Sequence, residues 1–347
     1  MTAGKPRFIA PAEWEPHFAT WLAWPHEASD WPGKFTPVPH LYAEIVRILS
    51  RHERVRILIV PKLEAKARQL LRRAGADLSN VDFVAAATDR SWTRDYCPVW
   101  CRDAKGKLSA VKWLFNGWAK YPNSARDDQA GELAARYART TVVRPKVGRE
   151  RVVLEGGSID FNGSGTMLTT EECLLSPVQA RNPNLTREQM EALFFEYFGV
   201  TKTLWLHRGI AGDDTHGHVD DLARFVNPNT VVLAVEEDPA EDNYEPLQEN
   251  LRLLRKMTLP DGNRVRVVPL PMPRPVYYAG QRLPASYANF YIANGVVIVP
   301  TFHDPNDRVA LNTLAKLFPG RDVIGIHAVD LVLGLGTLHC MTMQQPA

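Results

Sequence analysis

An α/β fold built from five repeated ββαβ units, closed into a ring like a propeller, follows from three features of this sequence. Two short β runs, an amphipathic helix pattern and a further β run recur in that order along the second half of the chain. Two weaker copies precede them. A unit of roughly 60 residues cannot bury a core alone, so the units must pack on one another, and a closed ring removes exposed ends. Periodicity by itself also allows an ordinary open α/β sheet.

The first copy spans residues 18–60, with an extended run from Trp21 to Trp24, a helix around Leu41 to Leu49 and a strand from Val55 to Val60. The second spans 93–144, with strands near Val99 and Val111, a helix near Leu133 and a strand at Val142-Val143. The third, 151–207, is the clearest. Arg151 to Phe161 reads as a strand, Asn162-Gly163 as a hairpin turn, and Gly165 to Thr170 as the return. Thr186 reads as a helix N-cap with Gln189 as its capping-box partner. Met190, Leu193, Phe194 and Tyr197 follow at helical spacing, Gly199 ends the helix, and Thr203 to Leu206 is the last strand.

The fourth copy, 217–270, sets strands Val219 to Val226 and Thr230 to Val235 around Asn227-Pro228-Asn229. Leu247, Leu251 and Leu254 mark one helix face, and Val265 to Leu270 is a strand. The fifth, 286–327, sets Ser286 to Ile292 and Val296 to Pro300 around Asn294-Gly295. Leu311, Leu314, Leu317 and Phe318 mark the helix, and Val323 to Ile326 the strand. The copies are read as one catalytic domain over residues 1–347.

Bulk properties narrow the function. A chain of 347 residues is long for one simple domain and short for three. A net charge of +2, with no basic tract or acidic tail, argues against nucleic-acid or membrane partners. Met1 to Phe8 lacks the apolar core of a signal peptide, and no segment approaches the ~20 apolar residues of a membrane helix. Cys97, Cys101, Cys173 and Cys340 form no CxxC pair, which suits reduced thiols in a cytoplasm.

Four segments carry the chemistry: Ser91 to Tyr96, Leu154 to Ser158, Thr215 to Asp221 and Gly334 to Cys340. Asp95, Glu155, His218 and Cys340 stand 60, 63 and 122 residues apart, the last gap being two units long with its midpoint near Ser286. Equivalent positions in successive units of a ring converge on its axis, so this spacing brings the four groups to one site. A guanidinium is planar, permanently charged and rich in N–H donors, and carboxylates grip it through paired hydrogen bonds. Asp95, Glu155 and Asp220 offer more negative charge than protein cations there would balance. His218 and Asp220, two apart on a strand, face the same side.

Cys340 is the expected nucleophile. Gly334 and Gly336 ahead of it let the backbone approach a ligand, and the substrate's own charge favours the thiolate, so no metal is required. His218 is the expected acid and base. Taken singly, each group has an ordinary structural reading. A cysteine is a small buried hydrophobe, Glu155 before two glycines shapes a bulge, and Asp220 caps a turn or pairs with Arg224. Asp213, Asp214, His216, His218, Asp220 and Asp221 also form a run that could hold two divalent metals and release urea.

At these residues the sequence resembles the agmatine deiminase family, a branch of the guanidino-group-modifying pentein superfamily that includes bacterial-type peptidylarginine deiminases. The likeness runs from Pro11-Ala12-Glu13-Trp14-Glu15-Pro16-His17 and Trp21 to Pro25, through Trp92 to Tyr96, Glu155 to Ser158 and Gly217 to Asp220. It continues through Ala223-Arg224-Phe225 and Ala285 to Phe290 to Leu338-His339-Cys340 and Gln344-Gln345-Pro346. The resemblance implies a five-bladed α/β propeller, a Cys340 nucleophile, a His218 general acid/base, and Asp95, Glu155 and Asp220 around the guanidinium. It implies deimination of agmatine to N-carbamoylputrescine in polyamine synthesis or agmatine catabolism, without a cofactor, in a protein that is often a homo-oligomer. Peptidyl-arginine or another guanidine is the alternative substrate. Cys97, His216 and Thr337 depart from the commonest family pattern. Trp92 is expected either along the substrate's alkyl chain or in the core, and Trp113 to Trp118, which contains no arginine, favours a substrate without a carboxylate.

Overall fold

A computed structural model describes residues 5–347; the first four residues, which the reading of the N-terminus included, lie outside the described residues. The fold is mixed α/β. Among the described residues the larger sheets number five, and each carries the same connection. An edge strand pairs antiparallel with a central strand, and the central strand pairs parallel with a third after a helical crossover.

The second unit shows Val99–Arg102, Leu108–Val111, helix Ala125–Tyr137 and Thr141–Val143. The third shows Asp160–Phe161, Thr166–Thr170, helix Arg187–Phe198 and Lys202–Leu206. The fourth shows Ala223–Asn227, Thr230–Val235, helix Tyr244–Leu254 and Arg266–Pro271. The fifth shows Tyr291–Ala293, Val296–Thr301, helix Asn306–Leu317 and Asp322–His327.

Local chemistry accounts for these elements. The Thr186 hydroxyl accepts from Gln189 N while Gln189 Oε1 accepts from Thr186 N, so two orphan N–H groups of the helix start are satisfied. Gly199 ends that helix at φ 70°. The central strands are apolar on both faces: Val231, Val232 and Leu233, and Val296 to Val299, are fully buried. That is the pattern of a strand covered on each side.

The first unit departs from the expected one. His17–Ala23 pairs parallel with Arg54–Ile59 after helix Val38–Leu49. A second crossover, helix Pro61–Ala74, adds the parallel strand Val81–Ala85. The antiparallel edge strand is Met343–Pro346, from the far end of the chain. The last strand thus closes on the first sheet.

Three expected strands begin late. Arg151 to Phe161 is not continuous: a 3₁₀ turn at Gly156–Ser158 interrupts it before Asp160. Val219–Asp221 is likewise a 3₁₀ turn, and the strand begins at Ala223. Ser286 to Asn289 is a turn, and the strand begins at Tyr291. A single helical turn, Thr93–Tyr96, precedes Val99 in the same way, and a turn through His339 and Cys340 precedes Met343. Each unit therefore ends a turn just ahead of its edge strand, and the candidate chemistry sits in those turns. His218 and Asp220 consequently do not share a strand face; a tight turn aims them.

All four cysteines are free and buried. No helix among the described residues is long and apolar enough to cross a membrane.

Candidate active site

The turns ahead of the edge strands bring Asp95, Glu155, His218, Asp220 and Cys340 into one buried cluster. His218 Nδ1 lies 3.9 Å from Asp95 Oδ1, and its Nε2 lies 3.8 Å from Glu155 Oε2. Cys340 Sγ lies 3.7 Å from Asp220 Oδ2. A cavity of about 640 Å³ opens onto this cluster, with Cys340, Asp95 and Trp92 in its lining.

Gly157 makes the grouping possible. Its N–H donates to Asp95 Oδ1 at 2.9 Å. A Cβ there would stand 2.5 Å from His218 Nδ1 and 3.1 Å from Asp220 Oδ2. Gly334 and Gly336 line the cavity beside Cys340. The positive φ in that loop belongs to Leu335, at 66°. The glycines are needed for packing, since a Cβ on Gly334 would meet Trp31 at 2.7 Å and one on Gly336 would meet Trp92 at 3.0 Å. Trp92 is held against Trp31, ring centroids 5.5 Å apart.

Charge is distributed less starkly than the sequence implied. Glu155 is not free to balance a ligand: Arg181 Nε donates to its Oε1 at 3.1 Å, both side chains fully buried. Burial pushes the Glu155 carboxyl up, but Arg181 and His218 outweigh it and hold it at about 2. Asp220 does not pair with Arg224. Its Oδ2 meets His339 Nδ1 at 2.6 Å, and His339 Nε2 meets Glu13 Oε2 at 2.8 Å. Arg224 instead binds Glu13 and Asp160, each at 2.9 Å. Burial would raise Asp220, but the His339 contact wins and lowers it.

Asp95, buried like the others, lines the cavity. It accepts from Trp118 Nε1 at 2.8 Å. Burial pushes it to about 6; Asp220 and Glu155 reinforce this, while His218 and Trp118 oppose it. Burial disfavours charge on His218, but Asp95, Cys173 and Glu155 outweigh it and raise the imidazole well above its ordinary value. Burial, with Asp220, Asp221 and Asp95, raises the Cys340 thiol well above its ordinary value. Such a site favours the thiolate only once a cation enters.

The possible metal run disperses. Asp213 Oδ2 accepts from the backbone N–H groups of Gly217 and His218, so it shapes the loop. Asp214 turns to the cavity wall, where Tyr121 and Lys120 meet it. His216 turns the other way, towards Ser176. Asp220 and Asp221 remain beside Cys340.

Five further residues contact the cluster and were not singled out from the sequence: Glu13, Trp118, Arg181, Asn289 and His339. Asn289 lies in the two-unit gap between His218 and Cys340, which was the available signal. Glu13, Asn289 and His339 sat inside quoted motifs, and Trp118 closes a quoted segment, where it adopts φ 59° to reach Asp95. Arg181 lies in a connection with no periodic signal.

Comparison with known proteins fits this geometry. The family model described as Porphyromonas-type peptidyl-arginine deiminase matches residues 9–346. The agmatine deiminase of Pseudomonas syringae pv. tomato is 34% identical over 363 residues, covering 98% of this chain and 96% of that protein. The solved agmatine deiminase of Enterococcus faecalis superposes with a TM-score of 0.90 at 30% identity, over 100% of this chain and 98% of that one. A variant agmatine deiminase of C. jejuni with substrate bound gives 0.87 at 31% identity, over 98% and 96%.

Proposed function

This chain belongs to the Porphyromonas-type peptidyl-arginine deiminase family, and from that premise we infer that it hydrolyses agmatine to N-carbamoylputrescine and ammonia. The relatives named above are agmatine deiminases. The observation that carries the reading is the meeting of a thiol, an imidazole and two carboxylates, Cys340 with His218, Asp95 and Asp220, in one buried cluster whose Cys340 and Asp95 line a cavity.

The substrate is a small molecule, and its guanidinium sits between Asp95 and Asp220. Its charge offsets the carboxylates that raise the Cys340 thiol, so the thiol proton leaves to solvent while His218, held as the imidazolium, keeps its own. The thiolate attacks the guanidinium carbon, and His218 protonates the departing nitrogen, which leaves as ammonia. A thiouronium remains on Cys340. His218 then takes a proton from water as the oxygen attacks the same carbon. The C–S bond breaks, the ureido product leaves, and the second proton of that water ends on ammonia. Glu155, fixed by Arg181, orients His218 from behind.

We also propose that the five sheets stand as blades about this site, in a single domain spanning residues 1–347. Support comes from the position of the site residues, each in the turn that precedes an edge strand, and from the closure of Met343–Pro346 on His17–Ala23.

The test is ammonia release from agmatine, free arginine and an arginyl peptide, each with EDTA and with Cys340→Ala. Release from agmatine, insensitive to EDTA and lost in the variant, is expected. Turnover retained by Cys340→Ala would overturn the mechanism. Preference for the peptide would move the substrate to peptidyl-arginine.

A further inference from the structure

A second buried thiol stands beside the reacting centre and has no part in the scheme above. Cys173 is 1% exposed. Its sulfur, a ring nitrogen of His218 and a carboxylate oxygen of Glu155 lie within 4.8 Å of one another. Glu155 approaches the ring on the Nε2 side at 3.8 Å, whereas Asp95, which lines the cavity, lies 3.9 Å from Nδ1. The thiol therefore meets the imidazole on its Glu155 side, away from the cavity.

Local structure fixes the thiol there. Cys173 sits in the short helix Glu171–Leu175, directly after strand Thr166–Thr170. The Thr170 hydroxyl caps this helix, accepting from Cys173 N at 3.1 Å, and donates to Gly217 O at 2.5 Å. One hydroxyl thus ties the turn that carries Cys173 to the residue before His218. His218 Nε2 and Glu155 Oε2, on side chains 1% and 0% exposed, have no hydrogen-bond partner. Buried polar atoms left so are costly. Sulfur is a weak but polarisable acceptor, and Cys173 is the group that shares their space.

We propose that Cys173 is a positioning residue of the deiminase, whose sulfur steadies the charged His218 ring from the side away from the cavity and leaves Nδ1 facing the substrate. The proposal rests on the deiminase reading above and adds a residue that acts through His218. The acidic groups around that ring are Asp95, Glu155, Asp220 and Asp221, with Arg181 behind Glu155, Asp213 on the His218 backbone N–H and the Cys340 thiol in the same cluster. Burial disfavours charge on His218, and Asp95, then Cys173 and Glu155, restore it. Removing the sulfur lowers His218, so the imidazolium that protonates the departing nitrogen is lost at a lower pH.

The experiment measures ammonia release from agmatine against pH for the wild type, Cys173→Ala and Cys173→Ser, with folding checked by circular dichroism. A thiol that only fills the core is replaced better by alanine than by a buried hydroxyl. A thiol that accepts from His218 is replaced better by serine. The expected kcat of Cys173→Ala is roughly 10-fold below wild type with KM little changed, and the basic limb of its kcat profile lies about 0.5–1 pH unit lower. Cys173→Ser recovers most of both. Alanine with the wild-type kcat and basic limb, or serine slower than alanine, overturns the role and leaves the deiminase reading standing. Should the alanine variant not fold, a folded serine variant roughly 10-fold or more below wild type overturns the role, and one within a few-fold supports it. No ammonia from the wild type overturns the deiminase reading itself, and the positioning role with it.

Discussion

The side-chain amide of Asn289 donates to the sulfur of Cys340 at 3.1 Å and to Asp221 Oδ1 at 2.9 Å. Its carbonyl oxygen accepts from Thr337 Oγ1 at 2.7 Å and from His339 N at 3.0 Å. One buried carboxamide therefore joins the fifth unit, the loop carrying Cys340 and the turn carrying His218. Around a thiol crowded by carboxylates, it supplies an N–H that stabilises negative charge on sulfur. Asn289→Ala is expected to lower kcat/KM roughly 10- to 100-fold, the range for losing a hydrogen bond to a charged group. It should also shift the pH profile of Cys340 alkylation by iodoacetamide upward. A folded variant with the wild-type alkylation profile would sink this role.

Asp95 makes activity depend on pH. In the free protein burial holds this carboxyl at about 6, and it must be ionised to grip a guanidinium. A raised carboxyl is protonated below its value in the fold, so kcat/KM falls as pH drops through about 6 and is flat above it on this account. Trp118 donates to Asp95 and lowers it, so Trp118→Phe moves the acid limb to higher pH. Plots of log kcat/KM against pH decide the matter: a limb at the ordinary carboxylate value in both proteins contradicts the assignment.

Arg181 and Glu155 form a fully buried pair. Arg181→Met leaves Glu155 with a charge that burial disfavours, and breaking such a pair costs roughly 3–5 kcal/mol. In the wild type Glu155 is depressed to about 2. Its contribution is therefore present above the ordinary carboxylate value and is lost as pH falls towards about 2. In the variant the carboxyl rises instead, so the penalty is largest near neutrality and shrinks in acid. Urea unfolding at neutral and acid pH measures both, and an equal loss at the two would contradict the account.

Some of this was legible in the residues alone. The ββαβ order, the Thr186 capping box, the Gly199 stop and the apolar central strands depend on local spacing, which short-range sterics and hydrogen bonding convert directly into structure. The interval of 60 and then 63 residues between Asp95, Glu155 and His218 likewise pointed to one site.

Other features required the packed chain. Period alone could not show that Leu154 to Ser158 and His218 to Asp221 leave the strand as tight turns, because the hydrogen bonds that define those turns compete with strand pairing. Nor could it pair Glu13 with His339, 326 residues apart, or seat Met343–Pro346 on His17–Ala23. Sequence determined which chemical groups this protein owns and the period at which they recur. Tertiary structure alone decided which carboxylate each cation neutralises, since burial makes an unpaired charge so costly that Arg181 and Arg224 must each find a partner wherever the chain brings one.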